Sequence, residues 1–245
     1  VRPIIVDLSS NNGHPIDYAA AKASGVIAAI IKATEGTGYT NPFYGADTAG
    51  FAAVGVPVIA YHFASFGDAV AEAAHFVSVA GDKARVLDSE TNSNVEWQNE
   101  FLSALHLPSN EEMDYGSAST LPRSGIRALL WPASYGRDYG FGDAWQFTDA
   151  QVVDGIPGLV DASVWIGSLA DFNSLFNIEP PAPPVVEVEE MPLYATNSTG
   201  TGFVVATDLS SKRGLPDAAD AAALLATGLY RVVQLDDALL NSIPG

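Results

Sequence analysis

The stretch VIAAIIKAT at residues 26–34 is rich in β-branched residues and polar only at Lys32 and Thr34. It is short for a helix and lacks the alternation of a strand with one face in water, so it predicts a strand buried on both faces of a parallel sheet. PIIVDLS (3–9), VPVIAYHFA (56–64) and ARVLDSE (84–90) have the same character, and Ala-rich amphipathic segments follow the four runs near 17–24, 43–54, 68–80 and 95–106. Strand starts at 3, 26, 56 and 84 lie 23, 30 and 28 residues apart, one βα unit each. Weaker strand candidates follow at EMDYGSA (112–118), IRALLWPASY (126–135), DAWQFTD (143–149) and LVDASVW (159–165). Eight strands in this length are too closely spaced for a full (β/α)8 barrel, which takes roughly 250 residues. The expected fold is α/β: an irregular (β/α) TIM-like barrel with short or missing helices in its second half.

The pattern breaks at EPPAPPVVEVEEMP (179–192), where five prolines and four glutamates make a semi-rigid, solvated spacer. The chain is therefore divided into a barrel domain at 1–178, a linker at 179–192 and a small α+β module at 193–245. Acidic residues number 29 against 11 Lys and Arg, a net charge of -18, which repels nucleic acid and anionic lipid. There is no cysteine, and the four histidines (14, 62, 75, 106) form no HExxH pattern, so no metal or other cofactor is expected. No apolar run reaches the roughly 20 residues of a membrane span, and VRPIIVDLSS at the start has no leader-like apolar core. Nothing in the residues specifies an oligomeric state.

Polar groups gather at the C-terminal ends of the early strands: Asp7, then Glu35, then Tyr61 with His62, then Asp88 with Glu90. In parallel barrels these ends form one rim, where active sites are built. Asp88 and Glu90 are spaced i, i+2, which puts both on one side of an extended chain. They fit a general acid/base pair in which the charge of Asp88 raises the proton affinity of Glu90, as glycoside hydrolysis requires. The competing structural role is an N-cap for the next helix. Asp7 could cap a turn, Glu35 could pair with Lys32, and His62 fits a hydrogen-bonded structural histidine. Asp161 lies in an apolar strand pattern, where an unpartnered carboxylate is costly. Tyr61, Tyr135 and Trp145 are core candidates as well as candidates for a sugar-stacking groove.

The ordered set VDLSSNNG (6–13), IIKATEGTGYTNPFY (30–44), AAVGVPVIAYHFA (52–64), LDSE (87–90), YGSAS (115–119), LLWPASYG (129–136), AWQFTD (144–149) and VDASVW (160–165) resembles the family-25 glycoside hydrolases, the Chalaropsis-type lysozymes of many phage endolysins and bacterial autolysins. The resemblance covers the first domain. It implies an irregular barrel that hydrolyses the β-1,4 bond between N-acetylmuramic acid and N-acetylglucosamine in peptidoglycan, acting outside the cytoplasmic membrane. It implies Glu90 as proton donor, Asp88 as its partner, Asp7 and Asp161 as further active-site carboxylates, and Tyr61 and Trp145 as groove residues. A separate carboxylate or the substrate's own 2-acetamido group could attack the anomeric carbon. Tyr18 and Pro132 depart from the family pattern, in which Trp and a strand residue are more usual. The competing expectation is a catalytically silent glycan-binding or virion structural protein, and a third is action on chitin.

The segment 200–245 is similar to a short module of actinobacterial and phage cell-wall proteins, with a strand pair, a KR-x-x-PD turn, a helix and a D-ALL-x-x-IP tail. About 50 residues bury only a small core. The implied role is wall targeting, which raises the effective concentration of a tethered enzyme at its insoluble substrate; the bland alternative is a packing or oligomerisation appendage.

Overall fold

Eight strands close on themselves in the computed structural model, which describes residues 3–178, 193–196, 202–205, 212–214, 231–234 and 237–243. They are β1 (Ile4–Leu8), β2 (Val26–Glu35), β4 (Val58–Phe63), β5 (Ala84–Asp88), β6 (Met113–Ser117), β7 (Leu129–Ala133), β8 (Ala144–Gln151) and β9 (Val160–Trp165), with the short β3 (Tyr39–Thr40) folded back on β2. Neighbours run in the order β1-β9-β8-β7-β6-β5-β4-β2, and the β1–β2 pairing closes the ring. Every pairing from β1 through β2 and β4 to β8 is parallel, whereas β9 is antiparallel to both β8 and β1. The sequence pattern predicts a parallel barrel; the reversal of β9 is its departure, and it brings the start of β9, not its end, to the rim formed by the other strands' C-terminal ends.

The four predicted helices form after the early strands: α1 (Tyr18–Ala23), α2 (Tyr44–Ala53), α3 (Ala69–Ala80) and α4 (Val95–Ala104). Side-chain oxygens of Asp17, Asp68 and Asn94 accept from the N–H groups of Ala20, Ala71 and Trp97 and so satisfy free donors at the starts of α1, α3 and α4. Because Asn94 caps α4, Asp88 and Glu90 are free of that task. Between β6 and β9 no α-helix occurs among the described residues. One further helix, α5 (Leu169–Leu175), is capped by Ser168.

Strand alternation sorts the side chains into two layers. Outward residues such as Val6, Ile31, Ala60 and Leu87 pack with Phe51, Phe76, Phe101 and Trp97 of the helices. Inward residues Ile5, Ile30, Ile59, Val86, Met113 and Trp131 form a second cluster with Phe172, Leu175 and Phe176, so α5 plugs the lumen. Tyr18 donates its hydroxyl to Asp47 at 3.0 Å and meets Phe51 edge-on, a local solution for the unusual residue there. Pro132 cannot donate to a ladder. The β7–β8 ladder is correspondingly reduced to the Ala133–Gln146 pair, and Asp143 Oδ2 accepts from Leu130 N instead.

The chain divides into two compact units, 1–180 and 181–245. In the second, β10 (Leu193–Thr196), β11 (Gly202–Val205), β12 (Lys212–Gly214) and β13 (Arg231–Gln234) form a sheet of order β12-β11-β10-β13, parallel only between β10 and β13, and α6 (Asp237–Ser242) follows. Lys212 and Arg213 lie in a strand where the sequence predicts a turn. The linker 179–192 and the predicted module helix lie outside the described residues.

Candidate active site

The inward parity that fills the lumen with Ile5, Ile59 and Val86 lower down places Asp7, Tyr61 and Asp88 two residues further along the same strands. They open into a cavity of about 280 Å³ at the rim, lined by Asp7, Ser9, Asn11, Lys32, Tyr61, Phe63, Asp88, Glu90, Tyr115, Trp131, Tyr135 and Asp161. Six of the eight residues expected at the site therefore meet in one place: Glu90, Asp88, Asp7, Asp161, Tyr61 and Tyr135. Glu35 and Trp145 do not line it. Glu35 turns to Lys32, whose Nζ lies 2.6 Å from its carboxylate, and Lys32 takes the place in the cavity. Trp145 is on the outer face of β8, edge-on to Phe147, and its Nε1 donates to the Ser134 carbonyl at 2.9 Å.

Asp7 and Asp161 are register partners across the antiparallel β1–β9 pair, an arrangement only the reversed strand provides. Burial first, then the Asp161 charge, pushes the Asp7 carboxyl well above its usual range. Burial also raises Asp161. Two facing acids in one site hold a proton between them. Asp88 is likewise pushed well up, by burial and then by the Glu90 charge, although the Glu90 N–H lies 3.3 Å from its Oδ1. Glu90 is exposed at the rim; desolvation by its surroundings and then the Asp161 charge raise its carboxyl, while Lys32 opposes them. Charge coupling is mutual, so the Asp88–Glu90 interaction raises the proton affinity of the pair, and the Asp161 charge adds to it from across the barrel.

A polar layer the sequence reading missed supports these groups. Gln146, inward on β8, donates to Asp7 Oδ2 at 3.1 Å and accepts from the hydroxyls of Tyr115 at 2.9 Å and Tyr135 at 3.3 Å. Trp131 lines the cavity while its Nε1 donates to Ser163 Oγ at 2.9 Å. Strand parity is the signal that finds Gln146: in AWQFTD it, not Trp145, shares the inward face with Ala144. Burial and the surrounding carboxylates push the Tyr61 phenol well up, so it stays a neutral hydrogen-bond donor. His62 points outward between Phe76 and Phe101, hydrogen-bonded to Thr34 at 2.8 Å and Glu72 at 2.9 Å, and burial lowers its pKa. Among the described residues no group of three or more His, Asp or Glu side chains is arranged to hold a metal ion, and no helix is long and apolar enough to cross a membrane.

Such a site can give a proton from a raised carboxyl beside further acids able to meet positive charge at a reacting carbon. The sequence profile of the Glycosyl hydrolases family 25 matches residues 6–156. Among solved structures, a bacterial lysozyme from Streptomyces coelicolor aligns with 25% identity over 72% of this chain and 98% of its own, TM-score 0.62. A muramidase from Acremonium alcalophilum aligns with 25% identity over 73% of this chain and 100% of its own, TM-score 0.60. The fold of the CTP1L endolysin is also similar, at 24% identity over 95% of this chain and 82% of that one, TM-score 0.61. No curated protein sequence matches the chain.

Proposed function

The chain belongs to glycosyl hydrolase family 25, and from that premise we propose that it is a muramidase that cuts the β-1,4 bond from N-acetylmuramic acid to N-acetylglucosamine in peptidoglycan, with Glu90 as the proton donor. The observation that carries the assignment is the meeting of Asp7, Asp88, Glu90 and Asp161 in one cavity whose single lining cation is Lys32. Glu90 is the least enclosed of the four and its carboxyl is raised, so it holds its proton to higher pH than an ordinary glutamate and can still reach a glycosidic oxygen. Asp88, two residues back and deeply buried, is kept neutral by its surroundings and is a poor nucleophile. We assign it to orienting the 2-acetamido group of the substrate, which attacks the anomeric carbon, while the Asp7–Asp161 pair balances the developing positive charge.

The test is incubation with purified cell walls, following turbidity and new reducing ends, with borohydride reduction to identify the sugar that carries them. Reduced muramic acid is the expected product. Reduced glucosamine, or release from chitin oligosaccharides at an equal rate, would replace the muramidase assignment with another specificity; clearing without reducing ends would remove glycoside cleavage altogether. We extend the proposal to wall lysis in a phage context, with 193–245 as a wall-binding module. A chain ending at residue 179 should then clear intact walls poorly while cleaving soluble fragments at the full rate, and equal loss on both substrates would make the module structural.

A further inference from the structure

A second groove, of about 370 Å³, begins where the catalytic cavity ends, sharing Glu90, Tyr115 and Tyr135 with it. Its floor is Ser117, Ala118, Ser119, Ala133 and Ser134, and its far wall is Arg137 with Tyr139. Glu90 stands at the junction. If it protonates the glycosidic oxygen, the sugar left in the cavity with Asp7 and Asp161 is the one that reacts, and the departing strand runs into this second groove.

Arg137 brings a guanidinium to this groove. The chain carries 29 acids against 11 Lys and Arg, yet among the described residues Arg137 makes no ion pair. Its guanidinium lies 5.1 Å from the ring centre of Tyr139, a contact that holds a cation without using its hydrogen-bond donors. The loop is pinned rather than loose. Trp145 Nε1 donates to the Ser134 carbonyl, Ser134 N to the Gln146 carbonyl at 3.0 Å, Ser134 Oγ to the Arg137 carbonyl at 2.5 Å, and Gly140 N to Asp138 Oδ1 at 2.7 Å. The last bond engages the carboxylate of the adjacent Asp138. The outward Trp145, absent from the cavity, thus holds the loop that carries Arg137.

We infer that this groove is an anion-reading subsite, in which Arg137 binds a carboxylate carried by the departing part of the glycan. The inference rests on the muramidase reading. Two groups on peptidoglycan present that chemistry, the lactyl carboxylate of a muramic acid freed of peptide and the carboxylates of an intact stem peptide. A guanidinium fork matches either, with two parallel N–H donors to two oxygens. At an exposed site the effect should be moderate, and Arg137→Gln should raise KM roughly three- to tenfold with kcat within about twofold.

The experiment uses soluble glycan strands in three forms: native, with carboxylates amidated, and stripped of stem peptides. The wild-type protein should show a higher KM on amidated strands than on native ones; Arg137→Gln should show the high KM on both. Because the lactyl carboxyl is an amide wherever a stem is attached, a difference between the two proteins that appears on stripped strands would identify the lactyl carboxylate as the ligand, and one confined to native strands would identify the stem. Equal KM for the two proteins on native and on stripped strands alike would overturn the subsite while leaving the muramidase reading intact. Failure of the wild-type protein to release reducing ends from native strands would overturn both.

Discussion

The sheet carries buried carboxylates on both of its faces, and the two sets live under opposite rules. Outside, Glu72 is 1% exposed and its oxygens accept from His62 Nε2 at 2.9 Å, Ser65 N at 3.0 Å and Gly67 N at 2.7 Å. Asp47, equally enclosed, meets His14 at 3.2 Å and the Tyr18 hydroxyl at 3.0 Å. Inside, Asp7 has one amide donor and faces another acid, and Asp88 has a single long backbone contact. Donors surround Glu72, which ties α3 to β4, and Asp47, which ties α2 to α1; Asp114, outward on β6, is less well served, with Gln98 donating to Oδ2 at 2.7 Å and burial raising its pKa to about 7. Acids surround the inner ones, which raises their proton affinity at a cost to the fold. Burial alone therefore does not mark a catalytic carboxylate; several acids meeting in one cavity do.

One substitution made on both faces breaks or sharpens that contrast. Glu90→Gln removes the proton but keeps the shape, so kcat should fall on the order of 10²- to 10⁴-fold with the melting temperature unchanged or higher. Glu72→Gln should do the reverse. It discards the charge that accepts three N–H donors and turns an amide N–H toward one of them, so stability should fall by about 3 kcal/mol in urea titration. Loss of activity should then follow unfolding and vanish at low temperature. Active Glu90→Gln protein would remove Glu90 from the chemistry, and full stability of Glu72→Gln would show that the outer acids are not structural ties.

Asp7→Asn tests the energetic cost of the inner set. The folded-state pKa of Asp7 lies above its ordinary value of 3.8, so the stability linked to this group is fully present below pH 3.8 and is lost as pH rises toward the folded-state value. Asparagine does not ionise. The variant should therefore unfold at a higher temperature than the wild-type protein at pH 7 and at nearly the same temperature at pH 3, while its turnover falls. Destabilisation at pH 7 would mean that the Gln146 contact outweighs the repulsion from Asp161.

Much of this was legible in the residues for a physical reason. The buried runs at 3–9, 26–34, 56–64 and 84–90 are apolar on both faces, and only a sheet covered by helices accommodates that. Asp7 and Asp88 were visible because an acid in such a run conflicts with its surroundings. Three features were not legible. The reversal of β9 leaves no mark, since VDASVW reads alike in either direction, yet it sets Asp161 opposite Asp7. Gln146 was hidden beside Trp145, because an aromatic residue at a strand end draws attention that parity should correct. Glu35 lies off the cavity because β2 continues to residue 35 and returns through β3, while Lys32 shares the inward parity of Ala28 and Ile30.

The smallest effect concerns who sets the proton affinity of Glu90. The acid form of Glu90 is the active one, so its loss makes the basic limb of the pH profile of kcat/KM. Burial raises its pKa without any neighbour; Asp161 adds to the rise and Lys32 reduces it. Asp161→Asn removes a negative charge and should move the basic limb to lower pH in the residual activity. Lys32→Met removes the opposing cation and should move it to higher pH. Burial is the first cause that raises the Asp88 carboxyl, so Asp88→Asn removes less charge than Asp161→Asn and should displace the limb less, however much turnover it costs. A larger displacement for Asp88→Asn would restore the neighbour within the D-x-E motif as the tuning charge. A limb that stays in place in all three variants would leave burial as the sole cause, and the crowding of acids on the inner face would then serve the reacting sugar alone.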